Sequence, residues 1–256
     1  MNPSVYSAKE IEAMVFPEEP WLINPVLSRG SDWLIAGAPD SFKSLMLLQL
    51  FIHASLGVDF LWFKIEKPLN ILYINTDDNI REFQKRITQL NTTGLPLNDN
   101  LKIIAQPYMM LNHAGCTLIQ EWVQNYSPDI MALDNLTELI CGGTVDHTGM
   151  QAYDNLKRWL CSQDIGVASV THTNKDTEAN QNQPKLNRIA GLEMIRATHG
   201  NISFQESLRD SPSQRGDRFQ WTMERNKGLK KKEKECYNKL VLVDELENGK
   251  TLLKEV

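Results

Sequence analysis

The segment that most restricts the fold of this chain joins two apolar runs. DWLIAG (32–37) leads into GAPDSFKS (37–44), and SLMLLQLFIHASLG (44–57) follows. The octapeptide nearly matches the phosphate-binding loop G-x-x-x-x-G-K-[ST], which needs a strand before it and a helix after it. Phe42 stands where the second glycine belongs, so it must adopt an allowed backbone shape, and we expect its ring to turn outward. From this stretch alone, a phosphate loop and an ordinary strand–turn–helix are equally good interpretations.

Strand-like and helix-like segments alternate through most of the chain. Strand-like segments are 32–37, 70–78, 101–106, 128–135 and 165–173, and helix-like segments are 44–57, 80–90, 117–127 and 150–163. This alternation predicts an α/β fold with a mostly parallel sheet and helices on both faces. From residue 201 onward apolar and polar residues alternate, which predicts antiparallel strands at one edge, with a turn at 247–249.

The length of the chain, 256 residues, suits one domain. We expect a lead-in segment at 1–30 and a single domain at 31–256. Two long polar loops, 141–149 and 174–191, interrupt the pattern. Loops as long as the second are usually functional or disordered.

Polar residues follow three further strand-like segments. They are Asp77 and Asp78, then Asp134, and finally the run from His172 through Thr173 and Asn174 to Lys175. Each has a structural interpretation: the first pair could cap the helix at 80–90, Asp134 could begin a turn, and His172 could be a core histidine. However, ligands of doubly wound sheets bind at the carboxyl ends of the strands. Several polar groups at that end, in the order of a P-loop protein, favour a nucleotide site.

The phosphate loop gives each of its residues a role. The expected binding residues are Gly37, Ala38, Pro39, Asp40, Ser41, Phe42, Lys43, Ser44 and Leu45. Gly37 would make the first tight turn, and Lys43 would pair with the β- and γ-phosphates, which the backbone N–H groups cradle. Ser44 would ligate Mg²⁺, together with Asp134 as a Walker B carboxylate.

The overall composition excludes several functions. A net charge of −5 gives no global attraction to nucleic acid, so such binding would need local patches. The four cysteines, Cys116, Cys141, Cys161 and Cys236, form no C-x-x-C pair and predict buried thiols in a reducing cytosol. No signal peptide begins the sequence, and no apolar run approaches the roughly 18 residues that span a bilayer. We therefore expect a soluble, cytoplasmic protein.

From about 21 to 227 the chain resembles the RepA-like branch of the RecA-type ATPases, the AAA_25 group that includes hexameric plasmid replicative helicases. The group opens with a WLI segment, as at 21–23, and carries a loop of the form G-x-P-x-S-[GF]-K-S, which GAPDSFKS matches. The family's acidic strand end corresponds to ILYINTDDN, its Walker B strand to LDNLTELICGG, and its HHT.K strand end to THTNK. Looser counterparts are GLEMIRATHGNISF and MERNKG.

The resemblance implies Mg²⁺-dependent ATP hydrolysis. Asp77 would orient the attacking water, and His172 or Asn174 would sense the γ-phosphate. Two residues depart from the family. Asp77 replaces a glutamate, and Thr171 replaces the first histidine of HHT. Both departures point to slow hydrolysis, or to a nucleotide-binding switch with little turnover.

The resemblance also implies a homo-oligomeric ring with sites between subunits, a hexamer as in the family's plasmid replicative helicases. A cationic finger from the neighbouring subunit is then expected; the candidates are Arg188, Arg196, Arg225 and Lys227. Single-stranded DNA would contact the loop at 174–191 and the basic cluster KGLKKKEK (227–234), which could equally be a solvated hairpin turn. The alternative is a regulatory ATPase that acts on a protein partner. A metabolic kinase is disfavoured, since no lid or acceptor site is apparent.

Overall fold

The structure is a computed structural model that describes residues 6–15, 21–106, 109–141, 147–173, 200–208, 217–225 and 237–256. Its helices are α1 (Ala8–Ala13), α2 (Lys43–Leu56), α3 (Ile80–Leu90), α4 (His113–Tyr126), α5 (Leu136–Cys141) and α6 (His147–Ser162). Its first strands are β1 (Trp21–Ile23), β2 (Leu27–Ser28), β3 (Asp32–Gly37), β4 (Ile71–Asn75), β5 (Leu101–Ala105) and β6 (Ile130–Asp134). The later strands are β7 (Gly166–His172), β8 (Asn201–Ser207), β9 (Asp217–Arg225), β10 (Asn238–Glu245) and β11 (Thr251–Glu255).

Nine strands form one sheet in the order β11-β10-β9-β8-β3-β7-β6-β4-β5. Neighbouring strands pair in parallel in the part of the sheet ordered β8-β3-β7-β6-β4-β5. In the remaining part, ordered β11-β10-β9-β8, neighbouring strands pair antiparallel. This confirms the predicted α/β class with antiparallel strands at one edge. One detail was wrong: β8, which was expected to be antiparallel, pairs parallel with β3 on its inner side.

The sheet separates two hydrophobic layers. Alternate residues of β3 supply both of them, because successive side chains of a strand point to opposite faces. Trp33 and Ile35 pack in the layer beneath α2 and α3, whereas Leu34 and Ala36 pack in the layer beneath α4, α5 and α6. The short β1 and β2, with the turn between them, add Leu22, Ile23, Val26 and Leu27 to the buried core. The division of the chain at residue 30 remains a proposal.

Two general expectations can be compared with the described residues. Cys116 and Cys161 are free thiols, but both are half-buried rather than buried. Burial raises the pKa of the Cys161 thiol to about 11, which makes it a poor nucleophile. Within the described ranges, no helix has both the length and the apolar character that a membrane crossing needs.

Candidate nucleotide site

The loop between β3 and α2 takes a backbone shape that usually belongs to glycine. Phe42, the residue before α2, lies in the left-handed region with φ 65° and ψ 16°, and Asp40 has φ 57°. Such a conformation costs a residue with a Cβ about 1–2 kcal/mol. The expectation that the Phe42 ring turns outward was wrong: it is half-buried and stacks on Phe219 of β9, with ring centroids 5.9 Å apart. This contact offsets the backbone cost.

Glycine is required at position 37 because the backbone there passes close to β8, whereas the sequence suggested a tight turn as the reason. Gly37 is the last residue of β3, and a Cβ built on it would lie 2.2 Å from the carbonyl oxygen of Gln205 in β8. The Gln205 amide also donates a 2.7 Å hydrogen bond to the carbonyl of Ser41. The end of β3 and the phosphate loop are therefore held directly against β8.

We expect Gly37→Ala to destabilise the protein by about 1–3 kcal/mol, because β3 and β8 must separate to admit the methyl group. Gly249→Ala is the control. Gly249 has φ 74° and open space around its Cβ position, so only the backbone cost of about 1 kcal/mol applies. Urea unfolding of both variants measures the difference. If both variants lose the same free energy of unfolding, β3 and β8 separate to admit the methyl group without a measurable cost, and the prediction is wrong.

Lys43 begins α2 and folds back over the loop. Its Nζ donates to the carbonyl of Ala38 at 2.6 Å and to the Ser41 hydroxyl at 3.2 Å. The side chain is only 4% exposed, whereas a charged residue at the end of a loop is usually exposed. Burial lowers the pKa of Lys43 to about 8, although Asp134, Asp40 and Asp77 act in the opposite direction.

Ser44 and Asp134 meet beneath the loop. The Ser44 hydroxyl donates to Oδ1 of Asp134 at 2.9 Å, and the Tyr73 hydroxyl donates to Oδ2. Asp134 ends β6 and is 1% exposed, and this burial raises its pKa despite both hydrogen bonds. A hydroxyl and a carboxylate are the hard oxygen ligands that Mg²⁺ prefers, so this pair fits the expected cation.

The two acidic residues after β4 have different surroundings. Asp77 is exposed at the cavity, and partial burial, followed by Asp134 and Glu138, raises its pKa to about 6. Asp78 is 8% exposed, and its Oδ2 lies 2.6 Å from Nη1 of Arg86 on α3. The capping interpretation was wrong for both, because Asn79 caps α3 by accepting from two backbone N–H groups.

His172 ends β7 directly opposite Gly37 and is half-buried. Burial and the nearby Lys43 lower the pKa of His172 to about 4, so the ring is neutral at pH 7. Its buried Nδ1 has no hydrogen-bond partner among the described residues. The neighbouring Thr171 is fully buried, with its hydroxyl 3.0 Å from that of Thr137.

These groups surround one cavity of about 370 Å³. The sequence-predicted residues that line it are Asp40, Ser41, Phe42, Lys43, Ser44, Leu45, Asp77 and His172. Ala38 and Pro39 are exposed in the loop, and Asp134 lies buried and hydrogen-bonded to Ser44. Five sequence-predicted groups lie outside the described part of the chain, as do 174–191 and 227–234: Asn174, Arg188, Arg196, Lys227 and the side chain of Arg225.

The sequence interpretation missed four residues that line the cavity. They are Arg86, Gln89, Leu90 and Thr251. The first three were detectable, because positions 86, 89 and 90 share one face of α3 by their i, i+3, i+4 spacing. Thr251 offered no signal, since it comes from a strand remote in sequence.

The fold and the loop define a RecA-type P-loop ATPase. The family model AAA_25, described as an AAA domain, matches residues 3–178, which is more than half of the chain. The chain therefore belongs to this family. A solved KaiC-like protein from the hyperthermophilic archaeon Pyrococcus horikoshii OT3 is similar in fold, with a TM-score of 0.60 at 10% sequence identity over 91% of this chain and 93% of the other. No curated protein sequence gave a significant match.

Proposed function

We propose that this protein hydrolyses ATP in a Mg²⁺-dependent reaction. One observation carries the proposal: a P-loop lysine, a Ser44–Asp134 pair and a separate carboxylate, Asp77, converge on one cavity at the carboxyl edge of a parallel sheet. Ligands of open α/β sheets bind at that edge. ATP is the nucleotide, and Mg²⁺ is the cation that the Ser44 and Asp134 oxygens would hold.

Lys43 and the start of α2 bind the phosphates in this proposal. The ammonium group leaves the carbonyl of Ala38 and moves to the β- and γ-phosphates, while the free N–H groups of the helix and loop point at the same anion. Ser44 and Asp134 would hold the cation, which would supply neutralising charge to the phosphate oxygens.

Three further side chains act on the γ-phosphate. Asp77 orients the attacking water, since its carboxylate is exposed at the cavity and, unlike that of Asp40, lies outside the phosphate loop. Arg86, which Asp78 holds by its ion pair, lines the cavity and adds positive charge where negative charge spreads in the transition state. His172 contacts the γ-phosphate as a neutral hydrogen-bonding group and so distinguishes ATP from ADP.

The active form in this proposal is a homo-oligomeric ring with sites between subunits, and the single ATPase domain is 31–256. A cationic residue of the next subunit completes each site, and Arg188, Arg196, Arg225 and Lys227 are the candidates. The ATP cycle drives a motor on single-stranded DNA, in replication or on a mobile element. Residues 174–191 and 227–234 contact the DNA in this proposal.

A second function is favoured by one specific observation. Asp77 is one methylene shorter than the glutamate expected from the family resemblance, and its pKa is raised to about 6. The raised pKa makes the carboxylate a stronger base, but the shorter side chain reaches less far toward the attacking water, so hydrolysis would be slow. The protein would then be a regulatory switch whose nucleotide state controls a protein partner.

ATPase assays with and without single-stranded DNA separate the two functions, on material whose mass is measured by light scattering. A DNA motor is stimulated by DNA. Its DNA affinity also falls with salt, with a log–log slope of about −0.7 per phosphate contact. A switch shows slow hydrolysis that DNA does not change, and no DNA affinity at physiological salt. If the protein binds no ATP, neither the DNA motor nor the regulatory switch is its function.

We expect ATP affinity to depend on pH through Lys43. In the free protein its pKa is about 8, and the negative triphosphate raises the pKa on binding. At pH 9 free Lys43 is mostly neutral, so binding takes up about one proton, and affinity falls about tenfold per pH unit above pH 8. ATP does not titrate there, because its last phosphate pKa is near 6.

Calorimetry at pH 9 in buffers of different ionisation enthalpy measures this proton uptake. Lys43→Met is the control, since it keeps much of the side-chain volume and removes the titrating group. The variant is expected to bind ATP more weakly at pH 7 and to take up no proton at pH 9. Proton uptake near zero in the wild-type protein would contradict the placement of Lys43 on the phosphates.

A further inference from the structure

We propose that Tyr73 is a positioning residue of the nucleotide site: its hydroxyl fixes the Asp134 carboxylate and, through it, the Ser44 hydroxyl that would ligate the cation. This inference rests on the proposed ATPase function. The roles of Ser44 and Asp134 follow from the sequence motifs, whereas Tyr73 lies in the middle of β4 and was not among the expected site residues. Its contribution follows from the way in which β4 and β6 pair.

The sheet places Tyr73 and Asp134 on one face of adjacent strands. Tyr73 of β4 is directly opposite Ala132 of β6, and Asp134 comes two residues later on β6. Side chains two positions apart on a strand point to the same face, so Asp134 and Tyr73 emerge on the same side of the sheet. The Tyr73 hydroxyl donates a hydrogen bond to Oδ2 of Asp134.

Aromatic side chains of two helices hold the ring of Tyr73. Tyr73 is 1% exposed, and its ring centroid lies 6.1 Å from that of Phe51 on α2 and 5.6 Å from that of Phe83 on α3. Both separations are typical of favourable aromatic pairs. A close-packed interior leaves such a ring little freedom to move. The core therefore fixes the hydroxyl before any ligand binds.

The two oxygens of Asp134 accept from different side chains. Oδ2 accepts from Tyr73, and Oδ1 accepts from the Ser44 hydroxyl at 2.9 Å. Because a carboxylate is planar, a bond that fixes one oxygen also limits the position of the other. The Ser44 proton is directed at Asp134, so the lone pairs of the Ser44 oxygen remain for a ligand in the cavity, which Ser44 lines. Tyr73 thus acts on the cation ligand through Asp134.

The experiment measures how much Mg²⁺ strengthens binding of the non-hydrolysable ATP analogue adenylyl imidodiphosphate, by calorimetry on the full chain with Mg²⁺ and with EDTA. Tyr73→Phe removes the hydroxyl and keeps the ring. Loss of a group that orients a metal ligand typically costs about 10–100-fold in metal affinity, so the variant should lose about tenfold or more of the gain from Mg²⁺. Affinity in EDTA should stay within about twofold, because the phosphate loop is unchanged.

Tyr153→Phe is the matched control. Tyr153 is also 1% exposed, and its hydroxyl lies 3.1 Å from that of Ser169, in the layer on the other side of the sheet. Each substitution removes one buried hydroxyl, so both should lower the midpoint of urea unfolding. Only Tyr73→Phe should reduce the gain from Mg²⁺.

Para-aminophenylalanine at position 73 is the second variant, since its amine can donate to the same Asp134 oxygen and should keep most of the gain. The inference is overturned by an unchanged gain in Tyr73→Phe, by an equal loss in Tyr153→Phe, or by loss of the gain in the folded amine variant. It also fails if the wild-type protein binds the analogue equally well with and without Mg²⁺. If the wild-type protein binds no analogue in either condition, the proposed ATPase function itself fails.

Discussion

Asp77→Asn is expected to lower ATP turnover by about 10²–10⁴-fold while ATP affinity changes by less than about threefold. The amide keeps the size of the side chain but cannot accept a proton from water, so the chemical step loses its base and the phosphate contacts remain. Steady-state hydrolysis and calorimetric ATP binding, measured on the same preparation, separate the two effects.

Asp78→Asn is the matched control for this prediction. Asp78 is buried and paired with Arg86, so its loss should lower the free energy of unfolding and shift Arg86, with less effect on turnover than Asp77→Asn. If Asp78→Asn is the more damaging change in turnover, the two carboxylates have the opposite roles. If neither variant affects turnover, the base lies elsewhere or hydrolysis is not the function.

Loss of the finger from a neighbouring subunit is expected to have the largest effect, because an arginine supplied in trans is worth roughly 10³–10⁵ in rate. Arg196→Ala or Arg225→Ala, whichever removes the finger, should therefore be nearly inactive. Mixing either one with Lys43→Ala subunits should partly restore hydrolysis, since some interfaces then contain an intact loop facing an intact finger.

Light scattering and ATPase titration over protein concentration provide the check. Activity per subunit should rise as the oligomer forms. A monomer at micromolar concentration with full activity would rule out a site shared between subunits. Arg188→Ala and Lys227→Ala, tested in the same mixture, would show which of the four cations acts in trans.

The sequence predicted those elements whose signals are local. The bounds of α3 matched because Asn79 caps a strongly amphipathic run. By contrast, α4 begins at His113 and not at 117, because the side chain of Asn112 accepts from the N–H of Gly115, and an internal glycine hid this start. The direction of β8 could not be predicted, since an alternating pattern of apolar and polar residues fits a parallel and an antiparallel strand equally well.

The same division applies to the candidate site. Lys43, Asp77, Asp134 and His172 could be placed together because parallel strands bring their carboxyl ends to one edge of the sheet. The contribution of Thr251 could not be predicted, since it depends on how a distant hairpin packs against α3. The burial of Lys43 was also missed, because a charged residue in a loop is usually exposed.

The stacking of Phe42 on Phe219 has a consequence for how such loops are recognised. A glycine before the lysine is needed only where nothing else stabilises a left-handed residue. Here an aromatic partner more than 170 positions away supplies the stabilisation, so the missing glycine is compensated by a second residue and the loop keeps its shape. A motif search that insists on glycine would pass over this loop, whereas one that reads positions 42 and 219 as a pair would find it.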